Sequence, residues 1–352
     1  MRGSRVVAAV AIGVAVAFAI VACSSFEEEA PVDTSPESGG ETPRGSDGGD
    51  GGADAIVDGA VVEGSSDSDL GDDASVTLAS GLGGLVGVAV SSDSVFVAKG
   101  DDGTVRRLPI LGGDGGTTTI LSGLNGLSNI AVVGSYVVYS TSQGQLGRAD
   151  FVGMSTQNAS IGPIKGLVRN DASSVFGIKV NASNNDVRKY DINLNSGEGY
   201  GGVEPASDVA VFGSTVYWTT EATGAITIGS TGGTPAATTF KSSEVGCGSI
   251  AADAVGAYWT TASAVRGKAS GDAGATTLAN ERAVAIAANA GAVYWLTAAP
   301  PGRLRRGKMD APAVTLASGF VANFTPSQKV IALTAQYVIW ITSDGRVMRH
   351  DR

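Results

Sequence analysis

Short apolar runs without a helical period recur along the chain. The clearest is Thr215-Val216-Tyr217-Trp218-Thr219, and related runs surround Trp259, Trp295 and Trp340. Weaker copies lie at 94–98, 136–140 and 174–178. Aligned on the Trp218 column, the seven copies fall at 97, 139, 177, 218, 259, 295 and 340, giving steps of 42, 38, 41, 41, 36 and 45. A period near 40 residues is that of one supersecondary unit per repeat. The runs are rich in Val, Ile, Thr and aromatics and are separated by Gly and Ser turns, so they are predicted strands. The Tyr-Trp column could be read as a series of sugar-stacking or ligand-binding aromatics, but at period 2 inside the second strand one ring of each pair must face a neighbouring sheet, so packing is the expected role.

Each unit can be divided into four such segments. In the fourth unit they are 208–211, 216–219, 225–228 and 236–240. The fifth and sixth units follow the same scheme, and the third, running into the Gly-rich stretch before Gly202, is the most degenerate. The last unit stops after three segments. The stretch Val76-Thr77-Leu78-Ala79-Ser80 matches the fourth-strand segment Val314-Thr315-Leu316-Ala317-Ser318. A missing outer strand at one end and a spare one at the other predict a closed ring. The expected fold is all-β: a β-propeller of four-stranded blades over 76–352, with strand 76–80 completing the last blade. Seven blades are preferred, and six remain if the third unit is an insertion. Radial blades leave only short, protected edges.

The segments Tyr217-Trp218-Thr219-Thr220, Tyr258-Trp259-Thr260-Thr261 and Tyr294-Trp295-Leu296-Thr297 resemble the YWTD-type and TolB-like β-propeller repeats of secreted and cell-surface proteins. The resemblance covers 76–352 and implies fold, with little bearing on activity. Thr stands where the family has Asp after Tyr-Trp-Thr, and YWTD propellers proper have six blades.

The N-terminus has a different pattern. Arg2 and Arg5 precede a 16-residue apolar run from Val6 to Val21. That is a secretory signal, too short to span a bilayer comfortably. Ile20-Val21-Ala22-Cys23 resembles the lipobox of bacterial lipoproteins, which implies a signal peptide at 1–22 and acylation of Cys23. In that family Ser24, rather than Asp, after the cysteine implies the outer membrane or cell surface of a Gram-negative bacterium. Residues 23–75 form the expected tether. From Phe26 to Ser75 there are fifteen acidic residues and one basic residue, Arg44. Few of them could join a core, so the segment is expected to stay disordered, with an end-to-end distance of about 40 Å. Asp67, Asp69, Asp72 and Asp73 lack the closing bidentate Glu of a calcium loop.

Locating the charge changes its meaning. The net charge is −10, but after position 75 nineteen acids face twenty-one bases. The repeat region is slightly positive, and with a secretory address nucleic acid is not an expected partner. The single histidine, His350, excludes a His-based triad or a His₃ zinc site on inventory. Cys247 has no neighbouring cysteine or histidine and is expected to be a small buried residue. Gly112-Gly113-Asp114-Gly115-Gly116 lacks the Lys-Ser/Thr of a phosphate loop and is a turn.

Connections between blades should line one mouth of the central channel. The binding-face candidates there are Asn125, Lys165, Glu204, Asp208, Glu244, Glu281, Arg282 and Asn323. A second column, Arg107, Arg148, Lys189, Arg306 and Arg349, could form a belt that receives anions, the chain's own acidic tether among them. Long basic side chains on outer strands otherwise extend into solvent over apolar stems. The expected function is a monomeric, lipid-anchored binding or scaffold module of the cell envelope, engaging a protein, peptide or envelope polymer. The alternative is a metal-dependent hydrolase or lyase using loop carboxylates at the channel mouth, which requires a divalent cation. No catalytic residue, metal or cofactor is otherwise indicated.

Overall fold

The computed structural model describes residues 75–113, 116–181, 185–200, 205–232 and 237–352. The signal segment, Cys23, the tether up to residue 74 and Glu204 lie outside the described residues. No helix among the described residues is long and apolar enough to cross a membrane.

The described strands form seven four-stranded antiparallel sheets. Six of them use four strands consecutive in sequence. The seventh takes Ile331–Leu333, Tyr337–Ile341 and Val347–Asp351 and adds Ser75–Ala79 as its outer strand. The pairing register is Ser75↔His350, Val76↔Arg349 and Thr77↔Met348, with a bulge before Ala79. The expected ring closure is present. The degenerate third unit is a full blade of Ile164–Arg169, Ser174–Val180, Asn185–Asp191 and Ser196–Tyr200, so the count is seven.

The first strand of every blade faces the axis. These inner strands are Leu85–Val90, Leu127–Val133, Ile164–Arg169, Asp208–Phe212, Ile250–Ala252, Ala283–Asn289 and Ile331–Leu333. Each touches the next, and the last touches the first. Burial falls from the second strand outward. Ser94–Lys99 and Ala292–Thr297 are buried at every residue, because a neighbouring blade covers each face. The outer strand Thr118–Leu121 buries only Ile120. This gradient explains why the second strands read as unbroken apolar runs while the outer ones read as polar.

The core is therefore a series of crevices between blades. One crevice joins Ala210, Tyr217 and Ile226 of the fourth blade to Cys247, Ile250 and Trp259 of the fifth. Another crevice stacks Tyr200 against Trp218, ring centroids 4.9 Å apart. All four tryptophans are fully buried, which confirms their packing role. Two third-strand glycines seat tyrosine rings of the second strands. A Cβ on Gly267 would lie 2.6 Å from the Tyr258 ring, and one on Gly147 would collide with Tyr139.

Candidate functional site

The inner strands enclose a cavity of about 580 Å³. Every blade contributes, through Val88, Ile130, Leu167, Val209, Ile250, Ile286 and Ile331 at matching depth. Exposure rises along the strands. Val209 and Ala210 are buried, Val211 is half-buried and Phe212 is exposed, and the series Ile286, Ala287, Ala288, Asn289 repeats the trend. The channel thus opens where the inner strands end, beside Phe212, Arg169 and Asn289. The volume and the apolar walls are those of a small-molecule or side-chain pocket.

The other mouth is closed. Residues 325–329, leading into the seventh blade, cross the beginnings of the inner strands. The Val88 N–H donates to the Lys329 carbonyl at 2.8 Å, and Ser249 Oγ lies 2.8 Å from the Pro326 carbonyl. Lys329 Nζ reaches across the ring to the fourth blade, donating to Asp208 Oδ2 at 2.7 Å and to the Val209 carbonyl at 2.9 Å. Asp208 is fully buried. Its Oδ2 also accepts the Ile250 N–H at 3.0 Å, while Oδ1 has no partner among the described residues. Burial pushes the Asp208 carboxyl above its ordinary range, and Lys329 pulls it back. Lys165 stands close enough to Asp208 and Glu221 to feel both charges, and burial draws its ammonium below the ordinary lysine value.

The remaining binding-face candidates divide by exposure. Glu244 was expected at an open face, but its side chain is 1 % exposed. It accepts the Trp259 indole N–H at 3.0 Å and two contacts from Arg266 Nη1 at 2.9 Å. Glu281 repeats the arrangement with Trp295 at 2.8 Å and Arg305 at 3.6 Å. Both carboxylates satisfy a buried indole and a third-strand arginine; Glu244 is an internal brace, whereas the Glu281 side chain stays 23 % exposed. Trp218 Nε1 has no partner among the described residues. Glu204, at the matching sequence offset from it, lies outside them. Asn125, Arg282 and Asn323 are exposed, and the last two share a 250 Å³ hollow floored by Phe320 and Phe324.

The basic column does occupy one register, with Arg107 opposite Phe96, Arg148 opposite Val138, Lys189 opposite Phe176, Arg306 opposite Tyr294 and Arg349 opposite Ile339. The five side chains have different surroundings. Arg107 meets Asp93 at 3.4 Å, and Arg148 lies over the Tyr136 ring. Lys189 and Arg349 reach the next blade's carbonyls at Thr231 and Ile110. Arg306 and Arg148 make no hydrogen bond or ion pair among the described residues, and of the two only Arg148 has a ring contact. Cys247 is buried, and desolvation pushes its thiol up to about 11.

Lys329 was not anticipated from sequence. Its one trace there is the 45-residue step between Trp295 and Trp340, the longest of the six, which holds the extra residues of the crossing segment.

No protein-family model and no curated protein matches the chain. Among solved structures, virginiamycin B lyase from Staphylococcus aureus, a catalytically inactive variant with quinupristin, superposes with a TM-score of 0.62 at 13 % identity. That match covers 79 % of this chain and 98 % of the lyase. The WD40 repeats of RRP9 match with a TM-score of 0.62 at 8 % identity, covering 79 % of this chain and 97 % of that one. A streptogramin B lyase structure gives 0.61 at 10 % identity, over 78 % and 95 %. At these identities the likeness is one of fold: a seven-bladed β-propeller.

Proposed function

We propose that this chain is a lipid-anchored β-propeller of the cell envelope that binds a protein, peptide or envelope polymer at the open mouth of its channel. The observation that carries the reading is the channel itself. One mouth is closed by Lys329 and Asp208, and the other widens to Phe212, Arg169 and Asn289. The binding surface is thus moved from the connection face, where the sequence had placed it, to the opposite face. The address rests on the Val6–Val21 run, the lipobox-like Ile20-Val21-Ala22-Cys23 and Ser24, which together favour the outer membrane or cell surface. The Tyr-Trp-Thr repeats support kinship with YWTD-type or TolB-like propellers. The WD40 neighbours carry the same fold in repeat proteins, whereas the lyase neighbours carry it in enzymes, so fold alone does not choose.

The hydrolase or lyase alternative needs carboxylates free to hold a cation. Asp208, Glu244 and Glu281 are each engaged internally, and no three His, Cys, Asp or Glu side chains converge among the described residues. The test is affinity capture from cell-envelope extract with the full chain, with and without chelator. Ala252→Trp, which fills the open mouth, should abolish capture, and Asn125→Ala on the opposite face should not. Undiminished capture by Ala252→Trp would end this reading. Capture lost with chelator would revive the metal-dependent alternative.

A further inference from the structure

We propose that the crevice between the sixth and seventh blades is a binding site for a phosphate ester. The hollow measures about 420 Å³ and is lined by Tyr294, Arg306, Lys308, Arg352, Ala335 and Asn289, the last residue of its inner strand. Among the described residues no acidic side chain lines it. Its three cations come from two different blades.

Arg352 is held in place without a counter-charge. Its Nε donates to Tyr294 Oη at 3.2 Å, Nη1 to the Thr334 carbonyl at 2.7 Å and Nη2 to the Asn289 carbonyl at 3.4 Å. Its guanidinium carbon also lies 5.5 Å from the Tyr294 ring centroid. Arg306 is half-buried, directly across the strand pair from Tyr294, and has no hydrogen bond or ion pair among the described residues. Its neighbour Arg305 projects to the other side of the sheet, where Glu281 neutralises it at 3.6 Å. One of two successive arginines is therefore paired and the other left open. Lys308 adds an exposed ammonium two residues on, on the same face as Arg306.

A fixed guanidinium, a free one and an ammonium around one hollow match the geometry of an oxyanion with several acceptor oxygens. A lone inorganic ion would leave most of the volume empty, so the ligand chemistry is a phosphate ester carrying an organic group. A soluble sugar or polyol phosphate and a phospholipid headgroup both present it. The inference stands apart from the channel reading, since the two cavities share only Asn289.

The experiment uses the full chain carrying Cys23→Ser, so that an acyl anchor does not contribute. Glycerol 3-phosphate is titrated by calorimetry, and co-sedimentation is measured with phosphatidylcholine vesicles containing phosphatidic acid. Binding in at least one arm is expected, weakened at least tenfold by Arg306→Gln, severalfold by the exposed Lys308→Gln, and unchanged by Lys179→Gln in the third blade. Response to vesicles alone identifies a headgroup, and response to glycerol 3-phosphate alone identifies a solute. No binding in either arm, or equal binding by folded Arg306→Gln and Lys308→Gln, overturns the proposal.

Discussion

Lys329→Met removes the ammonium that crosses the channel. It leaves the Asp208 carboxylate, 0 % exposed, without its ion-pair partner, while Oδ2 still accepts the Ile250 N–H at 3.0 Å. Removing one partner of a buried pair costs about 3–5 kcal/mol. The Lys329 side chain is 19 % exposed, so the lower end of that range applies, about 3 kcal/mol. For a domain of this size that lowers Tm by about 6 °C. Asp208→Asn should cost only about 1 kcal/mol, because the amide oxygen still accepts from Ile250 and the ammonium keeps the Val209 carbonyl.

The pH dependence has a definite sign. A carboxyl whose folded pKa exceeds its unfolded value contributes stability that is present below the unfolded pKa, about 3.9. That contribution is lost as pH rises through the folded value. Asp208 is already raised by burial, and losing Lys329 raises it further. The deficit of Lys329→Met against wild type should therefore be largest near pH 7 and shrink toward pH 4. Urea unfolding across that range is the assay. The Asp208→Asn/Lys329→Met double variant should recover most of the loss, separating charge from packing. A Lys329→Met deficit below about 1 kcal/mol, or one independent of pH, would refute the account of the closed mouth.

Three further outcomes are expected. Glu244→Ala strands the Trp259 indole and Arg266, and should cost about 3 kcal/mol in denaturant unfolding; Glu244→Gln, which keeps an acceptor for the indole, should cost less than half of that. In the Cys23→Ser chain, Cys247 should resist a thiol reagent at pH 8 and react fully once unfolded, since burial shields its thiol and pushes it up to about 11. Deleting Ser75–Ala79 bares the edge of Val347–Asp351. The deletion should lower the melting temperature and produce association by edge pairing, visible in size-exclusion chromatography.

The blade count and the closing strand were legible because both depend on local composition. Second strands buried on both faces leave unbroken apolar runs, and 76–80 repeats 314–318 letter for letter. The site was less legible. Whether Glu244 faces solvent or an indole depends on the neighbouring crevice, which spacing along the chain does not encode. Arg305 and Arg306 are adjacent and chemically identical, yet one meets Glu281 and the other an open hollow. The Lys329 contact joins residues 121 positions apart, and its only trace is a lengthened repeat. Gly147 and Gly267 make room for rings, a role that nothing in their local sequence distinguishes in a Gly-rich chain.

The strand shared between the two ends of the ring changes the cooperativity of the whole domain. A linear array of repeats is coupled by nearest neighbours and can fray from either end. Here Thr77 and Met348, 271 residues apart, meet in one blade at 3.3 Å, so no blade is terminal. Any blade must break two crevices to leave, and the array behaves as a circle of coupled units. Contacts of such separation carry a large closure entropy and form after the blades that they join. Closure therefore acts as a late lock on the ring.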